Sequence, residues 1–218
     1  MLDLPFTDVA STYEFLAPNL RDRESTEEFE FPVEYMFKDV PKAATDDPVE
    51  HTLALMDHHG IDRAMIGAGS DNQRRALREH PDRFLASIGV DANDGMEALR
   101  QIDRAAETTG LAGVALFPSG CNPPVPINDK RWYPVYAKCV ELDLPVFICV
   151  GVPGPRVPMA AQKVELLDEV CWFFPELRIV MRHGAEPWEE LAVKLMLKWP
   201  NLYYSTSAFA PKYYPQAI

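Results

Sequence analysis

Arg178-Ile179-Val180-Met181-Arg182-His183-Gly184-Ala185-Glu186-Pro187-Trp188 is an apolar, strand-like run that ends in a histidine. The glycine after it reads as the opening of a helix whose first turn holds Glu186 and Pro187. In a parallel α/β protein, this junction at the carboxyl end of a strand is where side chains face the mouth of the sheet or barrel. His183 is therefore placed for chemistry, although a lone histidine is often structural. Arg182 alternates to the opposite side of the strand, so at most one of the pair faces a barrel lumen.

The same alternation extends on both sides of this stretch. Upstream, Pro145-Val146-Phe147-Ile148-Cys149-Val150 is apolar on both alternating sets, as a strand covered on both faces must be. Asp129 is positioned to cap a helix that puts Trp132, Val135, Tyr136, Cys139 and Val140 on one face. Earlier strands read as Asp62–Gly67, Phe84–Val90 and Ala112–Phe117. The helices between them start at Asp47-Pro48, Asp71 and Asp94. Downstream, the helix after His183 aligns Trp188, Leu191, Ala192, Leu195 and Trp199, and Leu202–Thr206 is the next strand. Six strands and six helices alternate with short connections, which predicts parallel βα units. No glycine-rich phosphate loop follows any strand, so a nucleotide-binding open sheet loses its signature and a (β/α)8 barrel is favoured.

Composition narrows the function classes. The chain has 218 residues, 47% of them hydrophobic, enough for one sizeable core and a single domain over 1–218. Its formal charge of -12 and lack of a basic cluster argue against nucleic-acid and anionic-membrane partners and leave a small-molecule substrate. No apolar run nears the roughly 20 residues of a bilayer span, and no signal-peptide pattern opens the chain, so the expected location is cytoplasmic. Residues 1–47 form an irregular segment ahead of the 48–218 repeats. It is rich in acids but carries Phe29, Phe31, Tyr35, Met36 and Phe37, too aromatic for a disordered tail. Those rings are expected to pack on the domain or across a contact in a homo-oligomer.

Metal binding needs three or four convergent ligands. His51, His58, His59 and His80 lie on or at the ends of helices outside the expected sheet, so His183 alone stands at a strand end. Cys149, at similar depth on the preceding strand, is either a small buried hydrophobe or, paired with His183, a nucleophile. Cys121, Cys139 and Cys171 read as reduced, buried thiols. Arg156, in the glycine- and proline-rich loop Gly151–Pro158, and Arg182 are the candidate carboxylate-binding groups. Asp91, Ser119, Ser205 and Ser207 are the other polar residues expected at the same mouth.

Several segments together carry a family resemblance: Trp132-Tyr133-Pro134-Val135-Tyr136 through Ile148, Leu166–Val170 to Phe174-Pro175-Glu176-Leu177-Arg178, His183-Gly184 to Pro187-Trp188, and Pro200-Asn201-Leu202-Tyr203. Over roughly residues 48–210 the chain resembles the amidohydrolase-related (amidohydrolase 2) family, which includes aminocarboxymuconate-semialdehyde decarboxylase-like enzymes. The resemblance implies a (β/α)8 TIM barrel with a divalent metal, often zinc, at its mouth, and hydrolysis or non-oxidative decarboxylation of a small carboxylated or cyclic substrate. It implies that His183, matching the histidine after the family's sixth strand, is a general acid/base as in the decarboxylases, a position that in some hydrolases of the family is a metal ligand. The family's His-x-His is absent from Met1-Leu2-Asp3-Leu4-Pro5, Cys149 replaces a histidine, Ala115 replaces a lysine, and a metal-binding aspartate would fall beyond Ile218. The expectation is a truncated barrel, a fragment with about six or seven of the eight strands, and no metal ligand assigned. Two alternatives stay open: a metal-free degenerate barrel used for binding or subunit contacts, and metal-independent chemistry by Cys149 and His183.

Overall fold

A computed structural model describes residues 14–23, 25, 45–207, 211–214 and 216–218. Between Pro48 and Tyr204 six helices alternate with six strands: α1 Pro48–His58, β1 Ala64–Gly67, α2 Asp71–Glu79, β2 Phe84–Val90, α3 Met96–Thr109, β3 Leu111–Leu116, α4 Tyr133–Glu141, β4 Val146–Cys149, α5 Leu167–Phe173, β5 Ile179–Arg182, α6 Glu189–Lys198 and β6 Leu202–Tyr204. All five strand pairs are parallel, and their order in the sheet is their order in the chain. That is the βα-repeat architecture of a TIM barrel, left open among the described residues because β1 and β6 do not pair.

Local chemistry sets the element boundaries. Asp47 accepts from Val49 N at 3.0 Å and Glu50 N at 3.2 Å, with Pro48 at the first helical position, as the sequence predicts. Ser70 and Gln73 close a reciprocal capping box on α2. Asp129 caps a short 3-10 turn, Lys130–Trp132, which then runs into α4. The expected helix start at Asp94 is replaced by a 3-10 turn capped by Asp91, with α3 beginning at Met96.

The two faces of the sheet differ. Val114, Leu116, Val146, Ile148, Ile179 and Met181 are no more than 1% exposed and pack against Val135, Tyr136, Cys139, Leu167, Val170 and Ala192 of the helices. Each such side chain contributes about 1.5–3 kcal/mol on burial. On the opposite, concave face one register row runs Gly89, Ala115, Phe147, Val180, Tyr203. Gly113 leaves room there for the Phe147 ring, because a Cβ would stand 2.7 Å from Cε2. Tyr203 is 48% exposed and Leu85 37%, so this face is less covered than the helix-packed one.

The four cysteines are free and buried, as expected. A 3-10 helix at Glu14–Asn19 lays Leu16 against Val157 and Phe117, and Asn19 donates to the Gly120 and Cys121 carbonyls at 3.1 and 3.0 Å. Residues 14–20 thus pack on the loops that follow β3 and β4. The aromatics from Phe29 to Phe37 lie outside the described residues. No helix among the described residues is long and apolar enough to cross a membrane.

Candidate active site

Strand pairing brings Cys149, the last residue of β4, level with Arg182, the last of β5. His183 follows at once, but no helix begins at Gly184. His183, Gly184 and Ala185 have φ of 65°, 81° and 59°, and α6 opens only at Glu189. Three consecutive left-handed residues turn the chain sharply, and two of them bear a Cβ, a conformation that costs roughly 1 kcal/mol or more per residue.

The surroundings hold that turn in place. Tyr204 donates its hydroxyl to the Gly184 carbonyl. Trp188 N bonds Ala185 O at 2.8 Å, and Val152 N bonds Glu186 O at 2.8 Å. Gly151 lies so close that a Cβ would meet Glu186 O at 2.6 Å. Gln162, buried, brackets Gly151 through its Nε2 to Gly151 O at 2.9 Å and its carbonyl to Gly151 N at 3.0 Å. The loops after β4 and β5 are therefore locked together under His183.

The histidine itself meets Ser207. Its backbone N–H donates to Ser207 Oγ at 3.3 Å, and the same oxygen lies 3.4 Å from Nδ1. Nε2 has no hydrogen-bond partner among the described residues. Burial, reinforced by the adjacent Arg182 guanidinium, lowers the imidazole pKa to about 3, so the ring is neutral at pH 7.

The other expected groups divide. Cys149 is 6% exposed and its thiol pKa is raised by burial, with Arg182 opposing, so it is a thiol rather than a thiolate. No hydrogen bond joins it to His183 among the described residues. Arg156 ion-pairs with Asp22 at 2.9 Å, and the Asp22 carboxyl is held at about 2 by hydrogen bonds from Ser25, its backbone N–H first, and then by Arg156. The ion pair ties the early segment to the β4 loop. Ser119 donates to Pro158 O at 2.8 Å and Asp91 accepts from Asn93 N at 2.8 Å, both structural contacts. Gln162, Gly151 and Tyr204 escaped the sequence reading, because their roles depend on two loops meeting in space. Ser207 did carry a signal, standing two residues beyond Ser205 past a strand end.

Among the described residues no three His, Cys, Asp or Glu side chains converge to hold a metal ion. A cationic arginine and a neutral thiol flank the histidine instead, so these residues do not fit a metal shell.

Comparisons with known proteins agree with this architecture. Solved structures similar to it include an uncharacterized TIM-barrel protein from Bordetella bronchiseptica, with TM-score 0.63, 22% identity and coverage of 89% of this chain and 66% of that one. Another is 5-carboxyvanillate decarboxylase from Novosphingobium aromaticivorans with bound manganese, with TM-score 0.59, 17% identity and coverage of 89% and 67%. At these identities the likeness shows the fold. A 2-keto-4-carboxy-3-hexenedioate hydratase from Sphingobium sp. is 28% identical over 42% of this chain and 31% of its own length. The chain thus spans less than a third of that curated relative and about two thirds of the Bordetella barrel. The family model described as Amidohydrolase matches residues 15–218, and the chain belongs to that family.

Proposed function

We propose that this chain carries the acid/base centre of an enzyme that hydrolyses or non-oxidatively decarboxylates a small carboxylated or cyclic substrate, with His183 as the proton-transfer residue. The observation that carries this reading is the neutral His183, fixed by two interlocked loops at the carboxyl end of β5. Ser207 Oγ has two lone pairs and so can accept from both the His183 backbone N–H and Nδ1–H. That tautomer leaves the Nε2 lone pair available as a base. In hydrolysis, Nε2 takes a proton from water as the water oxygen attacks, and returns it to the leaving group. In decarboxylation Nε2 first takes a proton from a hydroxyl or carboxyl group of the substrate, the C–C bonding pair stays on the substrate carbon as CO2 departs, and the imidazolium returns that proton to the carbanion. The neutral ring is the form that takes up a proton, and an anionic substrate that offsets Arg182 raises its proton affinity from the depressed value.

The structural relatives support the class. One of them is a decarboxylase holding an aromatic carboxylic acid, and the curated relative is a hydratase of a multiply carboxylated compound. A divalent metal, zinc included, would need ligands from outside the described residues, and no step here runs through one. Nucleophilic catalysis by Cys149 is disfavoured because burial holds the thiol protonated. A second reading, a barrel used for binding or subunit contact, rests on the missing three-ligand cluster among the described residues.

The test is turnover across small aromatic and aliphatic carboxylates and lactones by the full-length protein, compared with His183→Ala and His183→Gln. Loss of about 10²–10⁴ in kcat with the fold retained is expected for both variants. Undiminished turnover in His183→Ala overturns the role. Absence of turnover in the wild type over the whole panel favours the binding reading.

A further inference from the structure

The chain carries more acid than base, 33 against 21, and its arginines generally find carboxylates. Arg74 pairs with Asp71, Arg83 with Asp57, Arg104 with Glu97, Arg131 with Asp129 and Arg178 with Asp143. Arg182 does not. Among the described residues its side chain makes no ion pair or hydrogen bond, and its Nε is buried without a partner. A guanidinium has five donors in a rigid fork that suits a carboxylate edge, and leaving one of those donors dry is costly. An arginine without a partner among the described residues of an acid-rich chain, at the end of a barrel strand, marks a place for an anion from outside.

The neighbourhood defines what kind of anion. Arg182 shares its level with the neutral Cys149, so no fixed negative charge competes beside it in the register. One pleat below on the same face lie Phe147, Val180 and Tyr203, an apolar shelf. His183 is the next residue along the chain, and its proton affinity is lowered first by burial and then by the positive charge of Arg182.

The geometry points to Arg182 as the group that binds the substrate's carboxylate, with the substrate's apolar body on the Phe147–Val180–Tyr203 shelf. The strand ends at Arg182 and the positive φ of His183 breaks the alternation that would hold the two side chains on opposite faces, so the reacting atoms can be brought to His183. The assignment rests on the reading of this mouth as the active site. It gives Arg182, and not the loop residue Arg156 that is already paired with Asp22, the specificity-determining role.

Calorimetric binding of benzoate and of its neutral isostere benzamide to the full-length protein tests it, using Arg182→Met, Arg182→Lys and His183→Gln. Benzoate affinity should fall by about tenfold or more in Arg182→Met and by less in Arg182→Lys, with little change in His183→Gln. Benzamide binding should be the same in all. Thermal melts establish that each variant folds, and Arg182→Lys preserves the charge if the methionine variant does not. Equal benzoate affinity in wild type and Arg182→Met overturns the assignment, as does a wild type that does not bind benzoate at tens of millimolar. Turnover that depends on His183 together with benzoate binding indifferent to Arg182 would sink this inference and leave the proposed function standing. Arg182-dependent binding without any turnover would do the reverse.

Discussion

At the scale of single residues, His183 is held neutral by its surroundings, and this has a thermodynamic signature. In the unfolded chain its pKa returns to the ordinary value near 6.5, whereas in the folded protein it lies at about 3. Below pH 6.5 the unfolded state therefore takes up a proton that the folded state refuses, and stability falls as pH drops toward 3. Above pH 6.5 both states are neutral and the effect vanishes. Urea midpoints measured at pH 7.5 and pH 5 should fall more steeply for the wild type than for His183→Gln; parallel slopes would show that the ring is not buried in solution. The position of His183 at a strand end was legible from the run Arg178–Arg182, because apolar periodicity gives the strand and the glycine marks its end. The isolation of Arg182 among the described residues was not. It depends on which carboxylates the fold carries away from it, as the pairing of Arg156 with Asp22 also does across 134 residues.

Among elements, helices and strands were readable wherever a cap or an alternating pattern was local. Asp47-Pro48 and the apolar faces of α4 and α6 are such cases, and Asp47→Ala should cost about 1 kcal/mol of stability through the lost cap. The stretch from Gly184 to Trp188 was misread as helical because a glycine after a strand equally suits a left-handed turn, and only the packing of Gly151 against Ala185 and Glu186 decides between them. That packing makes Gly151 the critical residue of the loop pair. Its φ is 86°, and a methyl group would meet Glu186 O at 2.6 Å, so neither the conformation nor the space admits alanine. Gly151→Ala should destabilise by about 2 kcal/mol or more in chemical denaturation. It should also lower turnover beyond the stability loss, because the displaced partner is the loop that carries His183. Full activity at an unchanged denaturation midpoint would mean that the two loops are not locked.

For the whole molecule, six parallel strands in chain order with helices on one face follow directly from the alternation of βα units, so the architecture is the most legible feature of the sequence. What the pattern conceals is how the open ends of the arc are covered. Among the described residues β1 and β6 each have a free edge, and the concave face between them presents Leu85 and Tyr203 at 37% and 48% exposure. Unpaired strand edges beside apolar surface template pairing with other chains. Opposing this, a net charge of -12 repels like molecules over a Debye length of roughly 10 Å at 0.1 M salt, and added salt shortens that range. The 218-residue polypeptide should therefore self-associate in sedimentation velocity experiments, and more strongly as salt rises, the reverse of an ion-pair-driven assembly. Placing a charge on the edge strand should weaken the association, so Tyr203→Lys is expected to shift the distribution toward monomer without changing the helical signal. A monodisperse wild-type monomer that unfolds cooperatively at every salt concentration would contradict this, and would require the open edges to be closed by residues other than those of the six strands.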